Sequence, residues 1–242
     1  MADFTLWERL FGKAEYLHNK TIAVTGASGT MGRSLMAALI KQGAKPIAIT
    51  TSPQAQFPEG VTVLTWQLGE ESALIAALTE VDILVINHGV NVYGDRTPTA
   101  IATSLEVNAL SALRLIDGFM NSPEPATKEV WVNTSEAEVG PAFSPLYEIS
   151  KRLLGDLITL KREDATGIIR KIVLGPFKSQ LNPVGVMGPD WVAGAVVALA
   201  KRDVRNIIVT INPLTYITFP IKERVQSLYF KLFSRRSPVG RP

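Results

Sequence analysis

Short apolar runs rich in β-branched residues alternate along this chain with segments whose apolar residues recur every three or four positions. Runs of the first kind are typical of strands buried on both faces, and segments of the second kind are typical of amphipathic helices. The predicted strands cover residues 21–24, 46–50, 61–66, 81–86, 129–133, 169–173 and 206–211, and the predicted helices cover 33–40, 71–78, 105–120 and 146–160. This alternation predicts an α/β fold with a doubly wound parallel sheet.

A glycine-rich turn lies between the first predicted strand and the first predicted helix. Residues 25–32 read TGASGTMG. Small residues let the backbone approach a pyrophosphate, and the free N–H groups and positive dipole end of the helix attract its charge. The placement predicts a phosphate or dinucleotide site, although glycine turns also close ordinary βα units.

The composition argues against several other classes of protein and of site. The 242 residues carry a formal net charge of +3, include no cysteine, and hold two histidines, His18 and His88, far apart in the sequence. We therefore expect one large domain, no disulfide, no metal site and no nucleic-acid partner. The chain lacks a long apolar run and begins without the basic residues of a secretory signal, so we expect a cytoplasmic protein.

A tyrosine and a lysine four residues apart are the leading candidates for chemistry. Tyr147 and Lys151 share one face of the predicted helix 146–160. A nearby cation favours the phenolate and lowers the tyrosine pKa from about 10, which makes Tyr147 a proton donor to a carbonyl or an acceptor from an alcohol. Ser135, at a strand end, would polarise the same oxygen. Each residue also has an ordinary explanation, as a surface helix pair or a turn former.

Residues 20–212 resemble the short-chain dehydrogenase/reductase family in the order of these motifs. The turn at 25–32 resembles the family's cofactor turn, residues 86–89 (INHG) resemble its Asn-Asn-Ala-Gly motif, and Tyr147 with Lys151 matches its Tyr-x-x-x-Lys pair. The resemblance implies a single-domain Rossmann-like fold. It also implies a catalytic set of Asn108, Ser135, Tyr147 and Lys151, in which Asn108 completes the proton relay unless it only ties backbone groups together.

The same resemblance implies which residues contact a cofactor. They are Gly26, Ser28, Gly29, Thr30, Met31, Gly32, Arg33, Thr51, Ser52, Asn87, His88, Gly89, Tyr147, Lys151, Pro176 and Phe177.

Three departures from the family pattern leave alternatives open. The glycine spacing, with Thr30 in place of the middle glycine, is similar to that of the longer, epimerase-like branch, but little chain follows residue 211 to form that branch's substrate domain. His88 replaces a small residue of the Asn-Asn-Ala-Gly motif, where we expect a packed, hydrogen-bonded imidazole beside the cofactor. Gly175 and Pro176 invert the common Pro-Gly order, which leaves the nicotinamide contacts there open.

The end of the second predicted strand indicates which cofactor is used. An acidic residue there would bind the ribose hydroxyls of NAD and repel a 2′-phosphate, and none is present. Thr51 and Ser52 offer hydroxyl donors, and Arg33 adds positive charge nearby. The sequence therefore favours NADP(H), unless Thr51 and Ser52 only cap a turn.

The substrate is predicted from the segment 177–189, which is mostly uncharged and interrupted by glycine and proline. Such a segment is typical of a mobile lid over an apolar ligand. Glu136 and Glu138, beside Ser135, are expected to face solvent. We predict an NADP(H)-dependent oxidoreductase that interconverts a carbonyl and an alcohol on an apolar, lipid-like substrate. The alternatives are an epimerase or dehydratase with transient cofactor use, and a nucleotide-sensing scaffold without turnover.

Both ends of the chain carry amphipathic patterns. The divisions predicted are an N-terminal segment (1–18), the nucleotide-binding domain (19–213) and a basic C-terminal tail (214–242). Apolar positions at helical spacing are Phe4, Trp7, Leu10 and Phe11 near the start, and Ile221, Val225, Leu228, Tyr229 and Leu232 near the end. These patterns favour contact with a membrane surface or packing on the domain or a partner subunit. With these two patterns, the chain also shows a weaker resemblance to the reductase region of bifunctional sterol desaturase/short-chain dehydrogenase proteins. The resemblance to the short-chain dehydrogenase/reductase family implies a homo-oligomer.

Overall fold

The computed structural model describes residues 13, 15–121 and 124–234, and its centre is a sheet of seven parallel strands. The strands are β1 Thr21–Thr25, β2 Lys45–Thr50, β3 Thr62–Thr65, β4 Ile83–Ile86, β5 Glu129–Ser135, β6 Ile168–Leu174 and β7 Asn206–Val209. Every predicted strand is confirmed, with ends that differ by two residues or fewer.

The strand order reverses at the middle of the sheet, between β1 and β4. The order is β3-β2-β1-β4-β5-β6-β7, so β1 pairs with β2 on one side and with β4 on the other. The chain reverses its direction of winding between these neighbours. In doubly wound sheets a crevice opens at such a point, beyond the carboxyl ends of the strands.

Helices cover both faces of the sheet. They are α1 Thr30–Ile40, α2 Glu71–Ala76, α3 Pro98–Leu105, α4 Ser111–Met120, α5 Pro145–Arg162, α6 Pro189–Lys201 and α7 Thr215–Phe233. A π-helical segment, Glu106–Leu110, joins α3 to α4. The sequence analysis missed α3 and α6, although each begins with proline, a frequent first residue of a helix.

The core forms two layers because successive strand residues point to opposite faces. On β1, Ile22 and Val24 pack with α1 and α6 on one side, whereas Ala23 packs with α4 and α5 on the other. Trp131 of β5 is fully buried in the first layer. Both faces of the central strands are therefore covered, as their continuous apolar sequences predict.

The last helix is fixed to this core through buried charges. Lys171 of β6 is fully buried, donates to Glu223 of α7 at 2.6 Å and lies 3.6 Å from the carboxylate of Glu138. Lys222 of α7 bonds to Glu138 at 2.8 Å. We call Glu138, Lys171, Lys222 and Glu223 the buried ion cluster. The predicted C-terminal tail thus starts as a helix whose inner face packs on the domain.

The N-terminal apolar positions Phe4, Trp7, Leu10 and Phe11 lie outside the described residues. Within the described ranges, no helix combines the length and apolar character needed to cross a membrane.

Candidate active site

Two adjoining cavities open at the carboxyl edge of the sheet, where the strand order reverses. The inner cleft, of about 390 Å³, lies between the glycine turn, the end of β4 and α5. The outer cavity, of about 450 Å³, lies between the end of β5, the loop before α5 and the segment after β6. Residues common to both linings are Thr134, Tyr147, Leu174, Phe177, Ser179 and Leu181. Tyr147 therefore lies where a molecule bound in the inner cleft could contact a molecule bound in the outer cavity.

The glycine turn brings the backbone close to the inner cleft. Gly26 has a φ of +60°, and a Cβ on it would lie 2.9 Å from the Cα of His88. A Cβ on Gly32 would lie 2.3 Å from the carbonyl oxygen of Gly26, so this glycine lets α1 pack on the turn. Gly29 precedes α1 without a side-chain cap, which leaves first-turn N–H groups for a ligand. This cradle fits a pyrophosphate at a helix N-terminus.

Most of the predicted cofactor contacts line the inner cleft. Those that do are Gly26, Ser28, Gly29, Thr30, Met31, Thr51, Asn87, His88, Gly89, Tyr147, Lys151 and Phe177. Pro176 lines the outer cavity instead. Gly32, Arg33 and Ser52 fall outside both linings. Trp66 and Leu68, which sequence reasoning missed, add an apolar wall beside Thr51.

Arg33 is held in place next to the turn. Its Nε donates to the carbonyl of Ser28 and its Nη1 to that of Gln56, both at 3.0 Å. The guanidinium lies 5.6 Å from the ring centre of Phe57. Thr50 donates to the Ser28 hydroxyl at 3.0 Å and ties the end of β2 to the turn. A fixed cation and several hydroxyl groups thus border the part of the cleft nearest β2.

His88 forms part of the floor of the inner cleft. Its Nδ1 lies 2.8 Å from Thr25 Oγ1, which also accepts the backbone N–H of Asn87 at 2.9 Å. Its ring meets Trp66 edge to face at 5.5 Å. Burial and the nearby Lys151 lower the pKa of His88 to about 4, so the imidazole is neutral at pH 7. The packed, hydrogen-bonded arrangement agrees with the interpretation that the sequence favoured.

Helix α5 and β5 bring together the side chains predicted to transfer a proton. The Ser135 side chain lies beside Tyr147 and lowers its pKa, and Lys151 Nζ lies 5.8 Å from the centre of the Tyr147 ring. Lys151 donates to the backbone oxygen of Asn133 at 3.1 Å. Ser135, Tyr147 and Lys151 therefore adjoin one another where the two cavities meet.

The pKa values at this site differ from the sequence expectation. Burial raises the pKa of Tyr147, and the nearby Ser135 opposes this only in part. Burial lowers the pKa of Lys151 to about 8, and the charge of Glu138 acts in the other direction. The expectation was that Lys151 lowers the pKa of Tyr147, but in this structure burial has the larger effect because it disfavours the charged phenolate.

Asn108 lies in the π-helical segment and faces away from both cavities. Its Oδ1 accepts the N–H of Val90 at 2.8 Å, and its Nδ2 donates to the Val90 carbonyl at 2.9 Å and to Ser150 Oγ at 3.0 Å. It therefore holds the loop that follows β4 against α5. This is the backbone-tying role that the sequence left open beside the relay role.

The expectation that Glu136 and Glu138 face solvent is wrong for Glu138 and incomplete for Glu136. The carboxylate of Glu138 is fully buried in the ion cluster. Glu136 lines the outer cavity, and its Oε2 accepts the hydroxyl of Thr210 at 2.6 Å. The cations and hydroxyl groups that hold these acids come from β6, β7 and α7, so no local pattern could have revealed them.

The outer cavity is lined by Val184 of the predicted lid segment 177–189 and by side chains that no sequence motif singled out. Its lining combines the apolar Pro141, Phe143 and Val184 with the polar Asn91 and Ser144. Ser144 donates to Asn91 Oδ1 at 2.7 Å. These residues come from three separate loops.

Comparisons with known proteins agree with this description. Residues 18–105 match the NmrA-like family model. The chain is 54% identical over 243 residues to a monoglucosyldiacylglycerol epimerase of Synechocystis, a match that takes in 96% of this chain and 59% of that protein. It is 25% identical to the ketoacyl reductase HetN of Nostoc, over 82% of this chain and 81% of that protein. The chain thus spans little more than half of the first of these relatives.

Solved structures share the fold at low sequence identity. A short-chain dehydrogenase from Burkholderia cenocepacia in complex with NADP has a TM-score of 0.74 at 16% identity, covering 90% of this chain and 99% of its own. A short-chain dehydrogenase from Sphingobium yanoikuyae in complex with NADPH has a TM-score of 0.72 at 16% identity, covering 91% and 99%. The seven-stranded parallel sheet is the fold of these short-chain dehydrogenases, and the order of the motifs resembles that of the short-chain dehydrogenase/reductase family.

Proposed function

We propose that this chain is an NADP(H)-dependent oxidoreductase that interconverts a carbonyl and an alcohol on a lipid-like substrate. The observation that carries the proposal is the position of Tyr147, which lines both cavities and has Ser135 beside it. A cofactor in the inner cleft and a substrate in the outer cavity would meet beside this phenol.

Each residue of the site would have a separate role in the reaction. A bound nicotinamide cofactor would supply or accept the hydride. Tyr147 would give a proton to the carbonyl oxygen, or take one from the alcohol, and Ser135 would hydrogen-bond to the same oxygen as its charge develops. Lys151, fixed by the carbonyl of Asn133, would place positive charge beside the phenol. Burial raises the pKa of Tyr147, so the phenol is protonated at neutral pH and could donate its proton to a carbonyl oxygen.

The choice of NADP(H) rests on the end of β2. Thr51 lines the inner cleft there, and Arg33 is held beside it by two carbonyl groups. A cation and hydroxyl donors would bind a 2′-phosphate. The structural neighbours in complex with NADP and NADPH support the same choice.

A second candidate is an epimerase that oxidises and re-reduces one carbon of a glycosyl lipid. The observation that favours it is the polar wall of the outer cavity, where Glu136, Asn91 and Ser144 could bind sugar hydroxyl groups beside the apolar Phe143 and Val184. The 54% identity to a monoglucosyldiacylglycerol epimerase supports such a substrate. Tyr147 would take the hydroxyl proton in the first half of the reaction and return it in the second.

Cofactor titration tests the proposal first. We expect NADPH to accept fluorescence transfer from tryptophan, with tighter binding than NADH, and Arg33→Ala to reduce this preference by about tenfold. Lys45→Ala, at the other end of β2, is the matched control and should leave the preference unchanged. If neither NADPH nor NADH bound, the result would contradict the proposal.

Turnover then separates the two candidates. With a keto-lipid, a reductase consumes NADPH in equal amount to the product. With monoglucosyldiacylglycerol and a trace of NADP⁺, an epimerase changes the sugar configuration, seen by NMR, without net nicotinamide reduction. Cofactor binding without either reaction would leave the chain as a nucleotide-binding protein and contradict both candidates.

A further inference from the structure

Helix α7 exposes a second apolar face. Five of its residues are 59–66% exposed, namely Ile217, Ile221, Val225, Leu228 and Leu232. At 3.6 residues per turn they fall within an arc of about 80°. Phe219 and Glu223, which pack on the domain, lie on the opposite side of the helix. We call the five exposed residues the outer stripe.

The charges that border the outer stripe are positive. Arg224 and Lys231 are exposed beside it. Glu223 is the one acidic residue of α7, and its carboxylate points inward to Lys171 and Arg162. Two nearby acids outside α7 already have partners on that helix, since Asp156 of α5 bonds to Lys222 and Glu163, which follows α5, accepts from Ser227. A partner for the outer stripe must therefore be apolar and carry negative charge.

A second copy of this chain fits these requirements poorly. Pairing two outer stripes would bring Arg224 and Lys231 of both copies together with no exposed acid on either helix, and such like charges repel. An anionic membrane surface provides both an apolar interior and negative headgroups. Tyr216, Tyr229 and Phe233, which are 50%, 57% and 73% exposed, are residues typical of helices at that boundary.

The position of α7 connects this surface to the outer cavity. Thr215, its first residue, donates to Glu136, which lines that cavity. Phe143 and Val184 of the same lining are 94% and 86% exposed. We propose that α7 is an interfacial helix, whose outer stripe enters the surface of a membrane containing anionic lipid while Arg224 and Lys231 contact the headgroups.

Sedimentation with vesicles tests the proposal without cofactor or substrate, so its outcome does not depend on the proposed reaction. The 242-residue chain should sediment with vesicles of equal parts phosphatidylcholine and phosphatidylglycerol, and less with phosphatidylcholine alone. The double variant Ile221→Glu/Leu228→Glu should bind at least about tenfold more weakly. Arg224→Gln/Lys231→Gln should lose about tenfold on the anionic vesicles only. Ile40→Glu/Ile101→Glu, which adds the same charges on α1 and α3, should bind like the unmodified chain.

NADPH titration and thermal unfolding show that the variants remain folded, since α7 contributes nothing to the lining of the inner cleft. Failure of the unmodified chain to sediment would overturn the proposal. Equal sedimentation of the Ile221→Glu/Leu228→Glu variant would also overturn it. A concentration-dependent dimer that this variant abolishes would instead assign the outer stripe to a second copy.

Discussion

Tyr147 lines both the inner cleft and the outer cavity, but the other residues of the two linings come from different parts of the fold. The inner cleft contains the glycine turn, to which two of its side chains are linked, because Asn133 donates to Asn87 and Asn87 donates to the carbonyl of Gly26. The outer cavity is lined mainly by residues of the three loops that follow β4, β5 and β6, and its Glu136 lies two residues before Glu138 of the buried ion cluster. We infer that the inner cleft is preorganised for one anionic ligand, whereas the outer cavity is where substrate choice is made.

Substitution of Tyr147 should produce the largest effect because this residue belongs to both cavities. Tyr147→Phe removes the hydroxyl group that exchanges the proton and keeps the ring. We expect kcat to fall by about 10²–10⁴-fold with NADPH binding unchanged. Tyr229→Phe, on the exposed side of α7, is the control and should have normal kcat. A variant Tyr147→Phe with nearly full activity would remove this phenol from the reaction.

A substitution in the buried ion cluster tests how much these charges contribute to the free energy of unfolding. Lys171→Met leaves the buried Glu138 and Glu223 without their shared cation, and loss of one partner of a buried pair costs about 3–5 kcal/mol of unfolding free energy. Chemical denaturation measures this loss. Lys231→Met makes the same change on the exposed side of α7 and should cost less than about 1 kcal/mol. Equal effects of the two variants would show that the cluster adds nothing to stability.

His88 provides the corresponding test for the floor of the inner cleft. Its folded pKa of about 4 lies below the ordinary 6.5, so between these pH values the unfolded chain binds more protons. Stability should therefore fall as the pH drops from 6.5 to 4, by up to about 3 kcal/mol from this residue. His88→Gln should remove that part of the pH dependence, and His18→Gln should leave it in place. Identical pH profiles for the unmodified chain and His88→Gln would contradict the assignment.

The two cavities also differ in how well the sequence predicted them. Gly26 and Asn87 of the inner cleft lie in short motifs at strand ends, and Lys151 lies in a Tyr-x-x-x-Lys motif of α5, so all three could be identified from local patterns. Glu138 could not, because Lys171 and Lys222, its partners, follow it by 33 and 84 residues and only the fold brings them together. The helix α6 was missed because its start was assigned to the lid segment. The strand order likewise depends on tertiary packing that no local pattern contains.

The same substitution at the glycine turn and far from it gives the smallest and most controlled comparison. Gly32→Ala forces a Cβ to within 2.3 Å of a backbone oxygen, and such overpacking costs about 1–3 kcal/mol. Gly194→Ala, in the exposed middle of α6, meets nothing within 4 Å. Replacing this helical glycine should raise the unfolding free energy by about 0.5–1 kcal/mol. Chemical denaturation and NADPH titration of both variants should therefore give opposite signs of stability change, with weaker NADPH binding in Gly32→Ala alone. Normal NADPH affinity in a folded Gly32→Ala protein would mean that close packing of α1 on the turn is not what forms the phosphate cradle.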